Sequence, residues 1–433
     1  MGDEAAREYL DGLDRLGMRF GLERMQALME VLGSPQLAYR TVHVVGTNGK
    51  TSTTRFIAGI LRAHGLRVGA YISPHLVSPA ERQMVDGLAI LEPDFWTLVE
   101  ELRPAVEEAE KRLPEGHRVT QFEFLTALAF EWFRRQGCDA AVIEAGLGGR
   151  LDATSVIQSD VQVLTSVGLD HTDYLGQSLD AILAEKAAVV RPGGKVMAGP
   201  LAPQLKAQLR DICRDLQAEI RFQDEDVSLL ADSHQSPFDV FSFKGSYSDL
   251  SLGVLGLYQR ENAGVAIGAA ELFMNGPLEA DRLRRALAEV RVPGRMEVMS
   301  QKPLCILDGA HNPQGMGELL RALDVLLPRR RFISVVSILR DKDAEAMLAQ
   351  IGPHCDILFF TENSNDRSCS AEELTQLSDG VLAPNGERGP EVFVDRDPCS
   401  ALRSAYKLAS SNQVVLVTGS LYLIADVKRN LSR

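Results

Sequence analysis

The sequence predicts an α/β fold: a parallel-rich central sheet followed by a second, smaller α/β series. Three observations predict it. Short apolar runs rich in β-branched residues alternate with helical patterns, and such alternation implies right-handed βαβ crossovers. The alternation weakens near residue 205 and resumes near Leu304. The length of 433 residues suits two or three domains.

In chain order, Thr41-Val-His-Val-Val45 reads as a buried strand. A helix follows whose Phe56, Ile57, Ile60 and Leu61 share one face, with Gly65 as its stop. Arg67 to Ile72 reads as the next strand. A helix carrying Leu125, Leu128, Ala129, Trp132 and Phe133 leads into the strand Ala140–Ile143. Further strands are expected at Val161–Val167 and Val196–Ala198. Residues from about 205 to 255 are less regular, although Phe238–Phe243 alternates like an antiparallel strand. The second series has expected strands at Leu304–Leu307, Phe332–Val336, Ile357–Thr361 and Val414–Thr418. Val292-Pro-Gly294 marks the junction, which gives domains of 1–296 and 297–433.

Composition narrows the function. Hydrophobic residues are 45% and charged residues 24%, which excludes a disordered or fibrous chain. No apolar run approaches the ~20 residues that span a bilayer. The acidic start, Met1-Gly-Asp-Glu-Ala-Ala6, lacks the apolar core of a secretion signal and fails the myristoylation pattern at Ala6. Six scattered cysteines form no C-x-x-C pair and read as reduced cytosolic thiols, so a cytoplasmic protein is expected. The formal charge of −13 weighs against nucleic-acid and anionic-membrane surfaces. An anionic ligand would need local amides, cations or a metal to offset that field.

The sharpest motif is Gly46-Thr-Asn-Gly-Lys-Thr-Ser52, between a strand and a helix. Glycines let backbone N–H groups approach phosphate oxygens, and a helix N-terminus favours negative charge. Lys50 can neutralise outer phosphates, and Thr51 or Ser52 can offer a hydroxyl to Mg²⁺. The bland alternative is a glycine turn with an exposed lysine. Glu144 ends an expected strand, followed by Ala-Gly-Leu-Gly-Gly-Arg-Leu-Asp152. It reads either as a magnesium ligand in the crevice or as a charge balancing the next helix. Gly146-x-Gly148 resembles a dinucleotide fingerprint, but Leu151 stands where the third glycine belongs. His171, in Asp170-His-Thr-Asp-Tyr-Leu-Gly176, is a metal ligand or a hydrogen-bonded loop histidine. Glu185-Lys186 reads by default as an exposed ion pair on a helix. Ser73-Pro-His75 ends the second strand, so four strand ends bring Lys50, Ser73, Glu144 and His171 to one sheet edge. Downstream, Arg295 is a site residue or a linker charge. Asp308-Gly-Ala-His311 is a site loop or an Asx turn capping a helix.

Taken together and in this order, these motifs resemble the Mur ligase superfamily, specifically folylpolyglutamate synthase/dihydrofolate synthase. Gly21-Leu-Glu-Arg24 and Asn262-Ala263 add to the match, which spans nearly the whole chain. The resemblance implies a P-loop ATPase domain and a smaller Rossmann-like C-terminal α/β domain. It implies an ADP-forming ligase that adds L-glutamate to dihydropteroate and to reduced folates through an acyl phosphate. ATP would be held by Gly46, Thr47, Asn48, Gly49, Lys50, Thr51, Ser52, Asn262, Arg295 and Asp308. Mg²⁺ would be held by Ser73, Glu144 and His171. Lys50, Lys186 and His311 would serve catalysis, with Lys186 carried as N6-carboxylysine. The folate would lie near Gly17, Met18, Arg19 and Phe20, near Thr120, Gln121, Phe122 and Glu123, and near Leu151, Asp152 and Ala153. The partners are these small molecules, with no nucleic acid or membrane, and the chain is expected to be a monomer. Two positions depart from the family pattern: Thr51 replaces a usual glycine, and Ala188 replaces another. The alternatives are a monofunctional polyglutamate synthase and a cell-wall Mur-type amino-acid ligase. A nicotinamide oxidoreductase or a non-catalytic ATP-switched module would be of another class.

Overall fold

The structure, a computed structural model, describes residues 2–14, 19–231, 233, 237–382, 389–410 and 412–431. Two compact units emerge. One holds the chain up to Leu230 together with Pro237–Ser251 and Glu261–Val290; the other is chiefly Leu252–Arg260 and the chain from Arg291 onward.

The first unit is built on eight strands: β1 (Arg40–Val45), β2 (Val68–Tyr71), β3 (Gln83–Val85), β4 (Leu88–Ala89), β5 (Ala140–Glu144), β6 (Val161–Leu164), β7 (Lys195–Ala198) and β8 (Glu219–Phe222). Their order is β4-β3-β2-β5-β1-β6-β7-β8. Neighbours from β2 through β8 are parallel, while β3 and β4 fold back antiparallel. Strands β2, β5 and β6 are buried along their whole length, as a parallel sheet covered on both faces requires. The helix Lys50–Ala63 buries the expected stripe of Phe56, Ile57, Ile60 and Leu61. Gly65 follows it at φ +93°, a left-handed stop that suits glycine. Helices Glu23–Val31, Glu92–Lys111 and Gln121–Arg135 share an apolar cluster around Phe95, Phe124 and Phe130.

Two expectations are corrected here. The stretch near 205–255 is regular after all. It holds the helix Pro203–Asp215 and β8, then an antiparallel sheet of β9 (Val227–Leu230), β10 (Phe238–Ser242) and β11 (Ser246–Leu250). Its strands lie at edges or in a small sheet, so their charged, half-exposed patterns carry little apolar signal. Strand β6 stops at Leu164, short of the expected Val167; beyond it the Thr165 and Ser166 side chains bond the loop after β1.

The second unit carries β12 (Glu297–Gln301), β13 (Leu304–Leu307), β14 (Arg331–Val336), β15 (Cys355–Phe360), β16 (Glu391–Val394) and β17 (Gln413–Thr418). Their order is β12-β13-β17-β14-β15-β16. All neighbours are parallel except β12 and β13. All four strands expected here form, and Ile306, Phe332, Leu358 and Leu416 point into one core.

Candidate active site

Strand β1 lies between β5 and β6, and the chain leaves it in opposite directions to build the two halves of the sheet. That reversal opens a crevice at the carboxyl ends of the strands. The ends of β2, β5, β1 and β6 therefore stand side by side at ~4.8 Å spacing. They carry Ser73, Glu144, the Gly46–Ser52 loop and the segment leading to His171.

The loop after β1 is tied to the end of β6. The Thr47 amide donates to the Ser166 carbonyl at 2.9 Å, and the Asn48 amide donates to Ser166 Oγ at 2.9 Å. Thr165 Oγ1 donates back to the Asn48 carbonyl at 2.6 Å. Glycine is compulsory twice. Gly46 has φ +157°, and a Cβ there would overlap Thr165 Oγ1. Gly49 has φ +84°, and its Cβ would meet Asn262 Oδ1 at 2.5 Å. Asn262, distant in sequence, thus reaches the phosphate-type loop. Lys50 Nζ bends over the loop and donates to the Gly46 and Thr47 carbonyls at 2.9 and 3.1 Å.

Glu144 is buried, with 1% of its surface exposed. Its Oε1 accepts from Thr51 Oγ1 at 2.9 Å, and its Oε2 accepts from the Ser73 amide at 3.3 Å. Of the expected metal ligands, Glu144 and Ser73 thus share one hydrogen-bonded group, Ser73 through its amide, and Thr51 is the hydroxyl that meets the carboxylate; Ser52 is buried in the helix. Among the described residues no three His, Cys, Asp or Glu side chains converge on a metal-sized point. One carboxylate beside the Thr51 hydroxyl still suits Mg²⁺, which takes few protein carboxylates and completes its shell with water and phosphate oxygens. His171 adopts φ +52° at the start of the helix Thr172–Leu175, with Nε2 3.9 Å from Asp170 Oδ1.

Lys186 overturns its default reading. It is 3% exposed, and its Nζ donates to the Gly46 carbonyl at 3.0 Å, the same oxygen that Lys50 uses. Glu185 pairs instead with Arg150, Nε to Oε1 at 3.0 Å. Burial, and then the nearby Lys50 ammonium, push the Lys186 amine down to about 7.

The expected folate-binding residues divide. Gly17 and Met18 lie outside the described residues. Arg19, Phe20 and Leu151 are exposed, and the Phe20 ring leans on Tyr174 at 5.4 Å. Phe122 packs near Tyr71 at 6.2 Å between ring centres and over Gly146, where a Cβ would meet its Cζ at 2.5 Å. Gln121 Nε2 donates to the Leu10 carbonyl at 3.1 Å. Thr120 and Glu123 form a capping box, and Glu123 also receives Arg24 Nε at 3.0 Å in a fully buried ion pair. Asp152 caps the turn Ala153–Val156, and Ala153 is buried.

In the second unit, Gly309 N donates to the Gly294 carbonyl at 2.8 Å, joining the Pro293-Gly-Arg295 and Asp308-Gly-Ala-His311 segments. Asp308 makes the Asx-type turn, accepting from Ala310 N at 2.8 Å, but the helix Pro313–Leu326 is capped by Asn312. Its other oxygen accepts from Met296 N at 2.8 Å and from Tyr258 OH at 3.1 Å. Burial raises the Asp308 pKa, opposed by the Arg295 charge and these donors. His311 Nδ1 lies 2.8 Å from the Gly309 carbonyl, which can only accept, so Nδ1 carries a proton.

Comparison with known proteins agrees along the whole chain. Residues 44–270 match the Mur ligase middle domain, and residues 294–421 match the glutamate ligase domain of Mur ligases. The dihydrofolate synthase/folylpolyglutamate synthase of Bacillus subtilis is 31% identical, covering 98% of each chain. The chain belongs to the Mur ligase family, in its dihydrofolate synthase/folylpolyglutamate synthase branch. A Mycobacterium tuberculosis folylpolyglutamate synthase solved with ADP and AMPPCP superposes with a TM-score of 0.91 at 31% identity, covering 99% and 98% of the two chains. An Escherichia coli relative solved with DHPP and ADP gives 0.87 at 28% identity, covering 99% and 97%.

Several residues that shape this Mur ligase site escaped the motif reading. Thr165 and Ser166 anchor the phosphate-type loop, and Tyr258 orients Asp308. Their one sequence signal is a polar pair at a strand end for the first two, and none for Tyr258. Arg55 sits on the phosphate-loop helix in the field of Glu144 and Glu81. Its spacing of four from Thr51 places it on the same helix face.

Proposed function

We propose that this chain is a bifunctional, ATP-dependent ligase that adds L-glutamate to dihydropteroate and to reduced folates, releasing ADP and phosphate. The observation that carries this reading is the full-length match to relatives of that name, with an intact phosphate-type loop behind it. A carboxylate is a poor electrophile because its leaving group would be oxide. An acceptor carboxylate oxygen attacks the γ-phosphorus, and the bond to ADP breaks. The glutamate amine then attacks the acyl carbonyl, loses a proton, and phosphate departs from the tetrahedral intermediate. Both steps depend on positioning and on charge neutralisation.

The residues divide the labour as follows. Amides of Gly46–Ser52 and the Lys50 ammonium bind the outer phosphates, with Asn262, Arg295 and Asp308 as further ATP contacts. Ser73, Glu144 and His171, with the Thr51 hydroxyl, would hold Mg²⁺, which supplies charge neutralisation on the phosphates when bound. The Lys186 amine, whose pKa burial and Lys50 push down to about 7, is able in its neutral form to add to CO₂. The new N–C bond releases one proton and leaves an anionic carboxylysine. The flat faces of Phe20 and Phe122 suit a pteridine or benzoyl ring, and His311 would serve the amine-transfer end. Residues 1–296 would handle ATP and folate, and residues 297–433 glutamate ligation. All six cysteines are free, which supports a reducing, cytoplasmic setting, and we read the protein as a monomer.

Purified protein, ATP, magnesium and L-glutamate should release ADP with dihydropteroate and, separately, with tetrahydrofolate. ADP release with tetrahydrofolate alone would reduce the activity to polyglutamate synthesis. Release with neither, but with a UDP-linked sugar acid, would move the chain to the cell-wall branch.

A further inference from the structure

His43 is wholly buried in the middle of β1, two residues before Val45 leads into the phosphate-type loop. Its Nε2 lies 2.8 Å from Thr154 Oγ1, and its buried Nδ1 has no hydrogen-bond partner among the described residues. A histidine in a strand core, half of whose polar ring meets no described protein group, is an expensive way to fill space. An aliphatic residue would fill the position without that cost. The ring must therefore contribute through Nε2.

The direction of that hydrogen bond follows from the next link. Asp152 Oδ2 accepts from Leu147 N at 2.8 Å, and Oδ1 accepts from Thr154 N at 3.0 Å. These amide donors favour the ionised carboxylate against the burial that raises its pKa. Thr154 Oγ1 lies 2.5 Å from the same Oδ1 and donates its hydroxyl proton there. A hydroxyl has one proton, so toward His43 the Thr154 oxygen can only accept. His43 Nε2 must then carry the ring proton. The reverse arrangement would need a protonated Asp152 and would leave a buried Nδ1–H with no acceptor among the described residues, the rarer orphan in native interiors. Burial, aided by the charge of Arg191, holds the ring pKa down at about 3, so the ring stays neutral at working pH.

This chain of donors ends in the loop that follows Glu144. Asp152 holds Leu147 N, and Ser155 Oγ donates to the Gly149 carbonyl at 2.5 Å. Gly149 in turn rests on the backbone of the Lys186 helix, where a Cβ would meet the Glu185 and Lys186 carbonyls at 2.8 and 2.9 Å. Arg150 N also donates to the Glu185 carbonyl at 3.1 Å. One side of this loop thus begins at Glu144, and its middle sets the height of Lys186.

We propose that His43 is a positioning residue of the ligase: as the Nε2–H tautomer it donates to Thr154, and through Asp152 it fixes the 145–152 loop that seats Glu144 and Lys186. The proposal rests on the ligase reading for its kinetic consequence, but the tautomer is measurable without turnover. The phosphate-type loop touches Glu144 through Thr51 and Lys186 through the Gly46 carbonyl, but it keeps its own anchors at Thr165 and Ser166, so the larger effect should fall on kcat rather than on KM for ATP.

Two experiments test it. In ¹⁵N-labelled wild-type protein at pH 7, long-range ¹H–¹⁵N spectra resolve the eight histidine rings, and the ring lost in His43→Gln is His43. An Nε2–H pattern is expected; an Nδ1–H pattern overturns the proposal whether or not the protein ligates glutamate. For kinetics, glutamine places an N–H where Nε2 stands, asparagine reaches only the Nδ1 position, and leucine reaches neither. His43→Gln should keep kcat within about threefold, whereas His43→Asn and His43→Leu should lose about tenfold or more with a smaller change in KM for ATP, as expected from a misplaced reacting group. Equal kcat in all three variants, or a loss confined to KM for ATP, overturns the positioning role. Thermal melting of each variant separates either result from unfolding.

Discussion

Lys50 and Lys186 point two ammonium groups at one carbonyl oxygen, that of Gly46. The arrangement is tolerable because burial and mutual repulsion drive one proton off near neutrality, and Lys186 is the buried partner. Carbamate forms on the neutral amine only, so the sign of its pH dependence is set: formation should rise as pH climbs from 6 to 8. With ¹³C-bicarbonate, a carbamate carbonyl signal should grow over that range and be absent in Lys186→Ala. Lys186→Ala should also lose ligase turnover, and a small added carboxylate should restore part of it. A wild-type spectrum without that signal at pH 8 removes the carboxylysine assignment. Lys50→Ala carries a separate expectation. Losing a charge stabiliser of phosphoryl transfer should cost on the order of 10²-fold or more in rate with the fold intact. Near-normal turnover of a folded Lys50→Ala protein would remove this lysine from the phosphate site.

Elements contribute through what their ends are tied to. The loop Gly46–Ser52 keeps its shape because two glycines sit where a Cβ has no room, against Thr165 and Asn262. Gly49→Ala should cost about 1 kcal/mol from positive φ alone, and should weaken nucleotide affinity as well by displacing the Asn262 amide. Titration calorimetry with ADP measures the second effect, and wild-type affinity would show that the loop tolerates the shift. The helix Gln121–Arg135 begins at a capping box whose Glu123 is locked to Arg24 with both side chains 4% exposed. Removing Glu123 leaves the buried Arg24 with only the half-exposed Glu23 as its anionic partner. Glu123→Ala should therefore destabilise by roughly 3 kcal/mol, with a smaller loss for the double variant Arg24→Met/Glu123→Leu. Equal melting temperatures for Glu123→Ala and wild type would count against the pair as a structural clamp.

For the molecule as a whole, the −13 charge and the anionic substrates pull in opposite directions. Local cations and amides at the strand ends resolve that conflict, so nucleotide should act as a folding ligand. ATP analogue at ~100 times its Kd should stabilise the protein by about 2.7 kcal/mol. That gain should vanish in Lys50→Ala, as followed by thermal melting; an equal shift in the variant would place the nucleotide elsewhere.

The α/β class, the buried strands of both sheets and the loop Gly46–Ser52 were legible in the sequence. Each rests on a local rule: apolar runs make β1, β5 and β14, and glycines before a lysine at a strand end make the loop. The same rules failed on β8 and β9, whose charged, half-exposed residues carry no apolar run. They also failed on Lys186, where Glu185-Lys186 spells a surface pair and the fold buries the lysine against Gly46, 140 positions away. The buried His43–Thr154–Asp152 chain and the Glu123–Arg24 pair are of the same kind. By itself the sequence determined which buried segments become strands and helices, and which motifs stand at strand ends. Only the tertiary structure decided which side chains share an oxygen, which lysine loses its proton and which histidine nitrogen holds one. Burial and non-local neighbours set those properties, and a local pattern carries no trace of either.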